Sequence, residues 1–259
     1  MSNEYKLGKG KVYVDLLDAD GNSIEGERYM GNTPGFTVSV DSENLEHFSS
    51  EGGVGEKDAE VLQDLTRTVN ITFDSMEREN LALFVVGDLA TKSQSASSVT
   101  AEAISGVKQD RYYQLGVDAS HPSGVRGVSN VAVKGSGGTP THTVDTDYTV
   151  DLATGRLYIV PGGGIADDTD LEIDYDKDAV DWEQIATSST AAKDAAIRFV
   201  ANNPRGQNDD AYFPKASVRP TGDLAMIGTE WQQGQLEVEV LKKTGLASAY
   251  IDGRPVSSA

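Results

Sequence analysis

No cysteine occurs in the 259 residues. Disulfides, thiolate metal sites and cysteine nucleophiles are therefore excluded. Tryptophan is scarce, with two residues, and aromatic side chains make up 7% of the chain, too few to suggest a sugar-stacking platform. Cations are in short supply as well: 22 Lys and Arg face 41 Asp and Glu, for a formal net charge of −19. Nucleic-acid binding through phosphates needs a surplus of Lys and Arg to release counterions, and this chain has none. No apolar run approaches the length of a membrane-spanning helix. The opening MSNEYKLGKGKVYVDLL lacks an apolar h-region and a small-residue cleavage pattern, so a conventional secretory signal is not expected. The chain reads as soluble and made in a cytoplasm.

Signatures of catalysis and cofactor binding are also missing. The three histidines, His47, His121 and His142, lie in turn-like sequence, and no G-x-S-x-G motif accompanies them. Gly8-Lys9-Gly10-Lys11 and Pro161-Gly162-Gly163-Gly164 are not phosphate loops, because no G-K-[ST] opens a helix after a strand. Asp18, Asp20 and Asn22 begin like a calcium loop, but Ser23 stands where Gly is required and Tyr29 where the bidentate Glu belongs. That segment reads as a hairpin turn. Asp167 to Glu183 holds nine carboxylates and one lysine, Lys177. With Leu171, Ile173 and Tyr175 alternating through it, it reads as a solvated β-edge and not as a metal site. No catalytic residue, metal ligand or cofactor is expected, and an enzyme has no positive support.

What is present is alternation. Val12, Val14 and Leu16 mark a first strand over Lys11–Leu17, the DADGN of Asp18–Asn22 a turn, and Gly26–Met30 a returning partner. Phe36, Val38 and Val40 alternate toward a core. Glu43 to Asp64 then reads as a long acidic loop, with seven carboxylates against one lysine, Lys57. A loop of that length is not expected in an isolated compact domain unless it has a task. The sharper reading is an arm ordered against a neighbouring subunit. Val69, Ile71 and Phe73 leave it on a second strand, opposite Thr66, Thr68, Asn70 and Thr72. Asp74 and Glu77 form a capping-box-like pair for a helix over Ser75–Val86, with Leu81, Phe84 and Val85 as its apolar stripe and Gly87 as its stop.

Thr91–Thr100 is a linker by composition. Residues 104–178 form a β-rich insertion, with strands at Arg111–Val117 and Val128–Val133, a hairpin Asp147–Asp151/Arg156–Val160, and a strand through Leu171, Ile173 and Tyr175. The last third returns to longer strands: Ala195–Ala201, Tyr212–Val218 and Gln235–Leu241. The main core thus spans about residues 8–90 and 185–245. A polar N-terminal arm (1–8) and a C-terminal arm (244–259, anchored by Leu246, Tyr250, Ile251 and Val256) flank it. No fixed-period repeat is visible.

The order strand, acidic loop, strand, helix and terminal strand resembles the major tail tube proteins of long-tailed bacteriophages. The resemblance rests on GERYMGNTPGFTVSVDSENLEHFSSEGGVGEKD, LTRTVNITFDSMERENLALFVVGD and PKASVRPTGDLAMIGTEWQQGQLEVEVLKK, with DYTVDLATGRLYIVPGGG similar to a hairpin of the larger members. It implies a mainly β fold, a β-sandwich or half-barrel of tail-tube type with one flanking helix. It also implies six copies to a ring and rings stacked into a virion tube that conducts the genome. Implied partners are further copies of the chain and tape-measure, tail-tip and tail-terminator proteins. Viral DNA would pass without specific binding, and no membrane is involved.

The resemblance places the long loop (Glu43, Glu46, His47, Phe48, Glu51, Val54, Glu56, Lys57, Asp58 and Glu60) and the arm residues Leu246, Tyr250 and Ile251 at subunit contacts. A sheet packed on one side and facing a wet channel on the other suits the alternation. Thr66, Thr68, Asn70, Thr72, Glu237 and Glu239 are the candidate channel face, where carboxylates would repel phosphates. A competing reading takes the Gly- and Thr-rich middle block as a β-sandwich adhesin or carbohydrate-binding module.

Overall fold

The computed structural model describes residues 5–187 and 193–254. Met1–Glu4 of the N-terminal arm and Pro255–Ala259 of the C-terminal arm, with Val256, lie outside the described residues. The chain divides into two compact units, Met1–Leu89 with Ile185–Ala259, and Ala90–Gln184. In chain order the elements are β1 (Gly10–Leu16), β2 (Arg28–Tyr29), β3 (Gly35–Ser49), β4 (Glu56–Phe73) and α1 (Arg78–Phe84). Then follow β5 (Asp88–Gln94), β6 (Ser97–Val107), β7 (Arg111–Gln114), β8 (Val128–Gly135), β9 (Tyr148–Asp151), β10 (Arg156–Ile159), β11 (Thr169–Lys177) and β12 (Val180–Ala186). The last four are β13 (Lys193–Ala201), β14 (Asn208–Thr221), β15 (Gly234–Val240) and β16 (Tyr250–Arg254). The fold is mainly β, as its alternating sequence predicts.

The first unit is an eight-stranded sheet in the order β2-β1-β13-β14-β15-β4-β3, with β16 also on β14. Strands β15 and β16 share one edge of β14: β15 pairs with Ala216–Thr221 and β16 with Asn208–Tyr212. The sheet is curved, not flat. Phe36 of β3 stacks on Phe199 of β13, with ring centroids 5.0 Å apart. In a flat sheet these strands would be about 19 Å apart, at ~4.8 Å per strand. The two halves therefore fold over a shared core that includes Val12, Ile71, Phe73, Ile197, Phe213 and Leu236, and their outer faces point in opposite directions. A register shift between Ala195 and Ile197 of β13 sends both Phe213 and Ala216 of β14 inward. Pro214 sits in that irregularity, one of the few strand positions that tolerate a missing N–H. Gly234 opens β15 because a Cβ there would run into the Phe73 ring.

Several expectations are corrected in this unit. Glu43–Asp64 is no loop: β3 and β4 stay paired out to Ser49 and Glu56, and only the tip between them turns. Val38 and Val40 do not enter the core but are about half exposed on β3, the edge strand of the sheet. The helix is shorter than Ser75–Val86, starting after Glu77, which offers no side-chain cap. Asp74 accepts instead from the amide of Asn32 at 2.7 Å. The helix buries Asn80, Ala82 and Leu83 and leaves Val85 exposed. Asn80 earns its place by donating to the carbonyls of Met30 and Ser75, each at 2.8 Å.

The helix ends by an unexpected route. The Gly87 N–H donates to Ala82 O and the Val86 N–H to Leu83 O, the paired bonds of a Schellman motif. The left-handed position is therefore Val86, at φ 51°, and not the following glycine. A β-branched residue is strained there, since non-glycine residues lose about 1–2 kcal/mol in that region. Val86→Gly is expected to raise the urea midpoint of the first unit by the equivalent of about 1 kcal/mol. No gain would mean that Val86 packing offsets the strain.

The second unit is a small sandwich of two three-stranded sheets, β7-β10-β9 and β6-β11-β8. Leu157, Ile159 and Tyr148 from one meet Leu171, Ile173, Tyr175 and Val133 from the other. Two further expectations change. Thr91–Thr100 is not a linker: it carries the end of β5 and the start of β6, and all its Ser and Thr residues but Ser95 lie in those strands. The acidic β11 is the central strand of its sheet, not an edge. Its carboxylates are hydrogen-bonded: Asp174 by Lys134 and the Ala101 N–H, Asp176 by Asn130 and Ser98. The hairpin β9–β10 pairs Tyr148 with Ile159 and Asp151 with Arg156.

Asp147 organises the loop before β9. Its Oδ1 accepts from the Gly164 N–H at 2.6 Å and its Oδ2 from the Thr143 N–H at 2.7 Å. The Thr143 and Gly164 N–H groups hold this carboxyl below its usual value against the opposing effect of burial, with a further contribution from His142. A depressed folded-state pKa adds stability that is present above the ordinary carboxylate value and is lost as pH falls through the lowered one. The Thr143 and Gly164 amide resonances are expected to titrate together, with a midpoint below about 3.9, the ordinary Asp value. A midpoint at or above it would contradict this account.

Candidate functional site

The feature least explained by folding alone is the β3–β4 ribbon. Strand β15 supports β4 only from Thr68 to Phe73. Beyond Arg67, the ribbon projects roughly 30 Å at ~3.4 Å per residue, and among the described residues no strand pairs with either edge. It exposes large apolar side chains along its length, with Leu45 64%, Phe48 54%, Val54 79% and Val61 64% accessible. A two-stranded hairpin by itself is marginal in water, and open strand edges invite pairing.

Local side-chain contacts, most of them cross-strand, hold its geometry. Lys57 donates to Glu46 and Glu60, each at 2.6 Å, and their hydrogen bonds raise the lysine pKa above its usual value. His47 Nδ1 lies 2.5 Å from Asp58 Oδ1, and Asn44 donates to Glu60. Glu43, Glu51, Glu56 and Asp64 have no ion-pair partner among the described residues. All ten predicted contact residues of this segment are thus on one projecting arm, exposed or, for the tip, at its end.

The predicted channel residues also fall together. Thr68 pairs with Ser39 and Glu239, Asn70 with Thr37 and Glu237, and Thr72 with Gly35 and Gln235. Thr66, opposite Asp41, continues the same face toward the arm. This face covers β3, β4, β15 and the second half of β14, where Arg219 pairs with Glu239. The C-terminal residues are placed differently from the arm predicted. Tyr250 and Ile251 pair with Tyr212 and Ala211 of the chain's own sheet, while Leu246 lies in the turn before them, its N–H on Lys243 O.

One exposed surface escaped the sequence reading. The β14–β15 connection carries Met226, Ile227 and Trp231, with Ile227 96% and Trp231 93% accessible. It joins the sheet where Gly234 meets Phe73, at the end opposite the arm tip. The spacing of its apolar residues carries no periodicity, so only composition could have marked it.

Other candidates hold less. A cleft of about 410 Å³ in the first unit is lined by Leu16, Ile24, Leu83, Arg28, Glu79 and Lys193, among others. Burial lowers the Arg28 pKa, opposed by the charges of Glu79 and Glu77. Each histidine has an aspartate nearby: besides His47, His121 Nδ1 is 3.3 Å from Asp118 and His142 Nδ1 3.7 Å from Asp147. Among the described residues none of these rings hydrogen-bonds a hydroxyl, and no group of three or more His, Asp and Glu is arranged to hold a metal ion. No described helix is long and apolar enough to cross a membrane.

Residues 5–250 match the model of the family described as Protein of unknown function UCP028589. The chain belongs to that family. The match spans both units, the arm and the β14–β15 connection, so these are parts of what the family model describes. No curated protein matches the chain.

Proposed function

We propose that this member of the family is a structural subunit that assembles with copies of itself, and that its assembly is the stacked hexameric tube of a long-tailed phage tail. The observation that carries the reading is the unsupported arm. Its open edges and apolar side chains need a partner, and the chain itself supplies none to the described residues. The Met226–Trp231 surface at the other end of the sheet adds a second, different patch. Two unlike patches at opposite ends favour a heterologous, head-to-tail contact, which extends indefinitely unless a rotation closes it. Rings stacked on one another combine both outcomes. The Thr66–Thr72 and Glu237–Glu239 face, polar and on one side of the sheet, suits a wet channel through which DNA passes without sticking. Tape-measure, tail-tip and terminator proteins would be its other partners, and the virion tail its location.

Negative-stain electron microscopy of the purified protein at high concentration tests this. Hollow tubes or rings with sixfold end views are expected. A monomer at every protein and salt concentration would sink it. One observation favours the binding-module alternative: Tyr112 and Tyr158 lie 4.7 Å apart on the second unit, with Arg156 4.5 Å above Tyr112. Glycan-array binding abolished by Tyr112→Ala would favour that reading.

A further inference from the structure

The two halves of the curved sheet have different outer faces. On the half away from the candidate channel, Tyr29, Tyr13, Arg198, Tyr212 and Tyr250 stand in register, each directly opposite the next. They form one transverse row across β2, β1, β13, β14 and β16, and include four of the ten tyrosines in the chain. Side chains touch along most of the row: Tyr13 and Tyr29 are 5.6 Å apart, Arg198 lies 4.2 Å over Tyr212, and Tyr212 stacks on Tyr250 at 6.5 Å. At about 4.8 Å per strand it is roughly 19 Å wide, enough for a two-stranded ribbon. Tyr29 and Tyr250 are exposed, and Tyr13, Arg198 and Tyr212 are partly so. Tyr and Arg are enriched at the centres of protein interfaces, where they bury large area and still form hydrogen bonds.

The charge around the row is mixed, with Asp15 and Asp252 lacking a cationic partner among the described residues, and its unpaired cations gather at the β1 end. Glu27 is taken by Arg198, Asp210 by Arg254 and Asp209 by Lys6. Lys11 rests over the Tyr29 ring, 5.4 Å from its centroid, and neither Lys9 nor Lys11 has a carboxylate partner among the described residues. The arm is the reverse case, apolar and with unpaired carboxylates at Glu43, Glu51, Glu56 and Asp64. From this complementarity we infer that the tyrosine–arginine row is the seat for the β3–β4 arm of a second copy. The inference rests on the self-assembly reading and adds where the arm lands. Phe48 and Leu45 would lie on the tyrosine rings, and the free arm carboxylates beside Lys9 and Lys11.

The absence of native cysteine makes the test direct. Phe48→Cys and Tyr29→Cys are combined in one full-length chain, and each is made alone. Disulfide formation under mild oxidation is read by non-reducing gel, alongside electron microscopy of the same samples. The double variant is expected to form a covalent ladder of multimers that the single variants cannot exceed beyond dimers. Asn70→Cys with Phe48→Cys, which places the second thiol on the candidate channel face, is expected to give none. Assembled particles whose arm cross-links to Asn70→Cys, or shows no Tyr29→Cys ladder, would overturn the inference and leave self-assembly standing. Monomers throughout, with no particles, would overturn both.

Discussion

Replacing Glu43–Asp64 with Asn-Gly is expected to abolish self-association and leave the first unit folded. Ser42 and Leu65 are directly paired, so a two-residue turn joins them without changing register, and Asn-Gly suits the turn that twisted strands require. Every residue removed is exposed or at the ribbon tip, so little apolar area is lost from the core, and stability should change by less than about 1 kcal/mol. Assembly loses far more, because the deletion removes the open edges together with Leu45, Phe48, Val54 and Val61. Sedimentation velocity should show a monomer at concentrations where the parent forms large particles, with an unchanged far-ultraviolet spectrum per strand residue. Tubes formed by the shortened chain would show that the arm is dispensable and would remove the main support for the proposed function.

Phe213→Ala is the core substitution expected to cost most in the first unit, about 3–5 kcal/mol. Phe213 is 1% exposed. It projects inward beside the register shift of β14 and faces the Phe36 ring, 6.5 Å between centroids. That ring also stacks on Phe199, so the three aromatics tie the folded-over halves of the sheet together. Truncation leaves a cavity that rigid strands on both sides cannot close. The urea midpoint should fall accordingly, and particles should form less readily because both outer faces depend on the curvature. A loss under about 1 kcal/mol would mean that Phe36 and Phe199 move in to fill the space, and that Phe213 does not hold the fold closed.

These two changes separate what the arm does from what the core does, and the same division separates what the sequence makes legible from what it does not. Alternation alone locates most strands: Val12 and Val14, Val69 and Ile71, Leu236 and Val238 all point inward. The β9–β10 hairpin is legible because Ala153-Thr154-Gly155 separates two short alternating runs. The grouping of Thr68, Asn70 and Thr72 with Glu237 and Glu239 follows from the same period of two once the strands are paired. The helix is legible in kind but not in extent, because Asp74 bonds Asn32 in preference to capping, a choice made by a residue far away in sequence.

The sequence by itself determined most of the strands, the presence of the single described helix, the acidity of the arm and the exclusion of thiol chemistry, since composition and local periodicity decide each. Only the tertiary structure decided which strand faces are covered. Val38 and Val40 alternate like core residues, yet they are about half exposed because β3 is the edge strand of its sheet and, of Phe36, Val38 and Val40, only Phe36 packs on the core. The acidic segment became a ribbon because its pairing continues past the sheet, something Gly- and Glu-rich composition conceals. The row from Tyr29 to Tyr250 joins residues far apart in the chain, and its continuity is set by long-range register across β1, β13, β14 and β16. Burial and register are properties of neighbours that the chain brings together by folding, and no window of local sequence contains them.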